Sequence, residues 1–246
     1  MKRMRPLKNR TFLSIVIFLI SLNITIAQLN KEPVEIVELP NAGLYRQGSL
    51  SFRINFSRVD LLRFSFFLSP LNRTFLGLQT NYIFFSANNF HLFLPSLVVK
   101  YRILEEDFNL PALALGISTH SLSTNQYIYE RFAPTLFLVG SKSFDNYIGI
   151  CNFHLGYAYS FSFGKSEDKS LVYIGFSQLF LKSFWANFEF YKLVGGNTEI
   201  KDNLLNFSAE WVVAENAKIG VVFKDLLKKN PDFILEKYLR VEFGLR

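Results

Sequence analysis

The feature that most constrains this chain is a two-residue alternation of apolar and polar side chains, repeated in segment after segment. In Leu50-Ser51-Phe52-Arg53-Ile54-Asn55-Phe56-Ser57 every even position is apolar and every odd one polar. Leu62-Arg63-Phe64-Ser65-Phe66 restarts the pattern. Leu97, Val99, Tyr101 and Ile103 alternate with Val98, Lys100 and Arg102, and Leu205, Phe207, Ala209 and Trp211 with Asn206, Ser208 and Glu210. The last residues, 239–246, do the same. Successive strand side chains point to opposite faces, so these are strands with one greasy and one polar face. Helical periodicity is not sustained anywhere; only a single turn around 225–229 is a candidate.

The alternation predicts twelve strands, at 50–57, 62–69, 74–82, 96–104, 111–117, 134–141, 147–160, 171–178, 184–192, 204–212, 218–224 and 238–246. A soluble sandwich also alternates, and the connections decide between the two. Those at 70–73, 105–110, 142–146, 179–183 and 213–217 are short, whereas 83–95, 118–133, 161–170, 193–203 and 225–237 are long. Only 58–61 breaks the parity. Short turns on one rim and long loops on the other mark an outer-membrane barrel, with the short turns in the periplasm. The expected fold is therefore all-β, an antiparallel transmembrane β-barrel of about twelve strands.

Residues 1–27 read as a targeting segment. A stretch carrying Lys2, Arg3, Arg5, Lys8 and Arg10 precedes an apolar run at 11–27, with Thr25 and Ala27 at the small positions a signal peptidase needs. Cleavage is expected before Gln28, and the mature chain is expected in the outer membrane. These five bases take the total of 27 down to 22, against 20 acids, so the formal charge of +7 is no nucleic-acid footprint. The organisation expected is a signal peptide at 1–27, a periplasmic leader or plug segment at 28–48, and the barrel at 49–246.

Several stretches resemble the YjbH-like outer-membrane barrel proteins. Pro40-Asn41-Ala42-Gly43 with Gly48-Ser49-Leu50 is similar to that family's opening, with Asn41 where a Thr is usual. Tyr101-Arg102-Ile103-Leu104-Glu105-Glu106, followed by Leu110-Pro111-Ala112-Leu113-Ala114-Leu115-Gly116, resembles its most specific run, and 127–144 and 223–227 continue the likeness. The resemblance implies a non-enzymatic part in exopolysaccharide export or assembly, with polysaccharide or other envelope-assembly proteins as partners beside outer-membrane lipid. A small passive channel or structural barrel is the alternative, and a barrel enzyme acting on lipid a third reading.

Charges on a lipid face cost roughly 2–4 kcal/mol each near the midplane. Arg53, Arg63, Lys100, Arg102, Lys224 and Arg240 are therefore expected inside, as contacts for a glycan or an anion, with Glu189, Glu210, Glu242 and His154 as their lumen partners. A salt-bridged interior is the competing role for the same set. No catalytic motif is evident. His154 would need a serine from another strand to act as a base, and Glu105-Glu106-Asp107 fits a solvated turn at least as well as a cation site. With one cysteine and three histidines, no metal or cofactor is expected.

Overall fold

The computed structural model describes residues 34–57, 61–85, 89–92, 95–120, 132–161, 169–194, 203–214, 216–227 and 237–245. Thirteen strands follow one another: β1 (Leu50–Ser57), β2 (Leu61–Leu68), β3 (Thr74–Phe85), β4 (Asn89–Leu92), β5 (Ser96–Leu104), β6 (Ala112–His120), β7 (Phe132–Asn146), β8 (Gly149–Ser160), β9 (Lys169–Phe180), β10 (Phe184–Val194), β11 (Asn203–Ala214), β12 (Ala217–Phe223) and β13 (Lys237–Leu245). Each barrel strand pairs antiparallel with its neighbours, β1 pairs with β13, and the β2–β3 pairing completes the ring. Twelve strands thus close the barrel. The thirteenth, β4, only folds back on the far end of β3, where the sequence pattern marks a loop at 83–95. No helix occurs among the described residues.

The short turns fall where expected, with one correction. Residues 142–146 are strand rather than turn, because β7 runs to Asn146 and β8 begins at Gly149. The Asn146 side chain explains the tight reversal: its Oδ1 accepts the backbone N–H of Ile148 at 3.0 Å and of Gly149 at 2.9 Å. Position 149 must be glycine, since a Cβ there would stand 2.0 Å from the Leu179 carbonyl oxygen.

The barrel is inside out relative to a soluble domain. Outward side chains are apolar and exposed, among them Leu97, Leu138, Phe153, Ile174, Phe188 and Trp211. Phe153, Phe176, Phe188, Phe207 and Phe223 stand directly opposite one another across five strands. Successive ring centroids are 5.2, 6.4, 4.8 and 6.1 Å apart. Such cross-strand aromatic pairs add about 0.2–1 kcal/mol each. The polar face is buried inside. An exterior of this kind is stable in hydrocarbon, where a closed barrel satisfies every backbone polar group.

Candidate functional site: the charged barrel interior

Alternation carries each candidate to the inner wall. Arg53 lies on β1, Arg63 on β2, Lys100 and Arg102 on β5, His154 on β8, Glu189 on β10, Glu210 on β11, Arg240 and Glu242 on β13, and Lys224 just past β12. All are buried except Arg102, which is half-buried. Lys218, also buried on β12 opposite Glu242, belongs to the same set. Its place in the alternation Lys218-Ile219-Gly220-Val221 is the signal that would have found it.

What the wall faces is the chain itself. Residues 34–45 lie inside the barrel as a compact loop, closed by a bridge between Glu35 and Pro40 and by the Ile36 N–H donating to the Leu39 carbonyl at 2.9 Å. Ile36, Val37, Leu39 and Ala42 are buried against wall residues Ala112, Ala114, Val139, Leu171, Tyr173 and Val222. Val34, Leu44 and Tyr45 pack with Phe67 and Phe75, and the Tyr45 ring stacks on Phe75 at 5.9 Å. Small inward residues such as Ala112 and Ala114 make the room. The segment's own pattern, Val34-Glu35-Ile36-Val37-Glu38-Leu39, has the apolar content of a core element.

The six basic candidates all converge on this loop. Arg53 pairs with Glu35. Glu38 meets Arg63 at 2.9 Å, Lys224 at 3.1 Å and Arg240 at 3.7 Å. Burial opposes ionisation of Glu38, but the Lys224, Arg63 and Arg240 charges outweigh it and hold the carboxyl down at about 2. Lys100 Nζ donates to the carbonyl oxygens of Val34, Asn41 and Gly43 at 3.1, 2.9 and 2.6 Å. Arg102 Nε donates to that of Ala42 at 2.9 Å.

The acidic partners complete the lining. Glu189 Oε2 accepts three successive backbone N–H groups, from Val37, Glu38 and Leu39, at 3.1, 3.0 and 2.8 Å. Glu242 takes the Arg53 guanidinium at 2.9 Å and the Tyr45 hydroxyl at 2.6 Å, and Glu210 takes Arg240 at 2.8 Å. Removing one member of a buried pair strands the other, so wall and loop hold each other in place.

His154 does meet a serine. Its Nδ1 lies 2.8 Å from Ser141 Oγ, and its Nε2 lies 3.4 Å from Ser177 Oγ. A nucleophile–base pair needs a third group orienting the base and open space for a substrate. Here the second nitrogen faces a hydroxyl, while Ser141 Oγ also accepts the Ala42 N–H at 2.9 Å. The gap between them and the loop is about 10 Å3, room for one water at most. Glu105 and Glu106 diverge: Glu105 pairs with Arg73 and Arg102, and Glu106 accepts from Ser143. No cluster of three metal-ligating side chains forms among the described residues.

Apolar outside, charged inside and closed by twelve antiparallel strands, the molecule has the fold of a transmembrane β-barrel. Solved structures with this fold include the KdgM porin, with a TM-score of 0.54 and 15% identity over 80% of this chain and 98% of that one. The NanC porin aligns with a TM-score of 0.50 and 10% identity, over 80% of this chain and 99% of that one. At these identities the likeness is one of fold. No family model and no curated protein matches the sequence.

Proposed function

We propose that the chain is a non-enzymatic outer-membrane conduit for anionic or polar solutes, closed at rest by residues 34–45. The observation that carries this is the charge of the wall. Arg53, Arg63, Lys100, Arg102, Lys218, Lys224 and Arg240 outnumber Glu189, Glu210 and Glu242, and Glu35 and Glu38 of the loop offset part of that excess. With the loop withdrawn, the lumen keeps an excess of positive charge between low-dielectric walls. Such a lumen concentrates anions. The porin fold of the two structural neighbours supports a channel over a catalyst.

Envelope exopolysaccharide export or assembly is the second reading, favoured by one observation. Two of the segments that resemble the YjbH-like proteins touch each other: Arg102 Nε reaches the Ala42 carbonyl, and Ala112 and Ala114 pack in the cluster that holds Ala42. The resemblance therefore falls on one contiguous structural unit, the loop and its clamp. An acidic glycan would present carboxylates to the wall cations that now donate to Glu35 and Glu38.

Conductance of the purified protein in planar bilayers tests the conduit. Wild-type protein should show low conductance, and a Glu189→Ala variant a several-fold higher one, with a reversal potential favouring anions. A variant that releases the loop and still passes no ions would overturn the proposal. Loss of surface polysaccharide on deleting the protein, restored by wild type, would select the second reading.

A further inference from the structure

The wall grips residues 34–45 mainly by their backbone. Lys100 holds three carbonyl oxygens, while Arg102, Tyr173 and Arg240 hold those of Ala42, Pro40 and Val37 at 2.9, 2.8 and 2.7 Å. Glu189 takes three N–H groups and Ser141 a fourth. Side-chain selectivity comes from a few anchors. Ile36 fills a notch above Gly175, where a Cβ would stand 2.4 Å from its Cδ1. Glu38 sits among three cations, and Tyr45 stacks on Phe75 with its hydroxyl on Glu242. A grip of backbone clamps plus a few pockets is how a protein recognises a peptide.

The link to the barrel is slight by comparison. Residues 46–48 are exposed and form a turn at the short-turn rim, tied back by the Gly48 N–H donating to the Ser69 carbonyl at 2.7 Å. No strand of the barrel runs through the loop, and the ring of β-pairings closes without it.

We propose that the barrel interior is a binding site for an acidic loop peptide of the type Val-Glu-Ile-Val-Glu-Leu-Pro-Asn-Ala, and that residues 34–45 occupy it as a ligand in cis. A tether of a few residues gives the loop an effective concentration of about millimolar or above. The cis ligand therefore excludes a free peptide until the link is cut. The site rests on the loop geometry alone and does not require that the barrel conduct.

The test uses the full chain. A protease site is placed in the exposed 46–48 turn, the protein is folded and then cut, and a fluorescent synthetic peptide of residues 34–45 is added in excess. The labelled peptide should exchange with the cut segment, read by anisotropy, while barrel circular dichroism and heat-modifiable migration stay unchanged. Peptides carrying Glu38→Gln or Ile36→Ala should bind at least tenfold more weakly. A cut Gly175→Ala barrel should reverse the order at one anchor, rejecting the native peptide and accepting the Ile36→Ala form. A cut segment that stays until the barrel denatures, a barrel that unfolds on cutting, or binding indifferent to these substitutions would each overturn the proposal. A barrel that takes the peptide but conducts nothing when empty removes the conduit and leaves the peptide site standing.

Discussion

Ile36 occupies the volume that the missing side chain of Gly175 leaves open, its Cδ1 2.4 Å from where a Cβ would lie. The contact joins a buried loop residue to the middle of β9, across a sequence separation that no local pattern spans. It also makes Gly175 the most sensitive place on the wall for unseating the loop without touching a charge. Gly175→Val should expel Ile36, whose burial is worth roughly 1.5–3 kcal/mol. The expected outcome is a ten- to hundredfold rise in the population with the loop withdrawn, seen as faster amide hydrogen exchange across residues 34–45. Unchanged exchange would mean the loop shifts without leaving.

Glu189 offers a larger effect through backbone donors. In Glu189→Ala the N–H groups of Val37, Glu38 and Leu39 lose their shared acceptor inside the barrel. Leaving a buried donor unsatisfied costs about 1–3 kcal/mol, so loop protection in amide hydrogen exchange should collapse while strand protection persists. Glu189→Gln keeps an acceptor oxygen and should fall between the two.

Glu38 predicts the acid response. Its carboxyl, held at about 2, lies below its ordinary 4.5, so the stabilisation it gives is complete above 4.5 and drains as pH falls toward 2. Loop protection should therefore be flat between pH 8 and 5 and decline below about 4. Glu38→Gln should reduce the decline and lower protection at every pH, since Arg63, Lys224 and Arg240 then surround a neutral amide. Breaking a buried pair in this way costs about 3–5 kcal/mol.

Ser141 separates a structural role from a catalytic one. Ser141→Ala removes the acceptor of the Ala42 N–H and the partner of His154 Nδ1. A loss of about 1–3 kcal/mol in loop stability is expected, and His154→Gln should cost less because Ser141 keeps its backbone donor. Wild-type lipid hydrolysis that vanishes in both variants would instead revive the enzyme reading.

Topology is checked by labelling. With Cys151 replaced by Ser, a cysteine at Asp145, exposed near the β7–β8 turn, should react with an impermeant reagent only after the outer membrane is breached. Labelling on intact cells would invert the barrel. Thr124 and Asn197, in two of the long loops expected outside, lie beyond the described residues, and Thr124→Cys and Asn197→Cys should label on intact cells.

The sequence by itself determined the strands, their faces and the parity of their connections, because these depend on local rules. A period of two and a penalty for charge in lipid together place Arg53, Lys100 or Glu242 inside whatever their partners are. The Asn146 turn escaped because its tightness comes from one side chain capping two N–H groups, not from composition. Tertiary structure alone decided what the inward charges do. Glu35 and Glu38 lie in a stretch without neighbours of its own in sequence, and their cations come from β1, β2, β13 and the residue after β12. Only closure of the barrel brings those four places around one loop, and in a closed lumen a buried charge is stable only beside its opposite or within hydrogen bonds that replace its water.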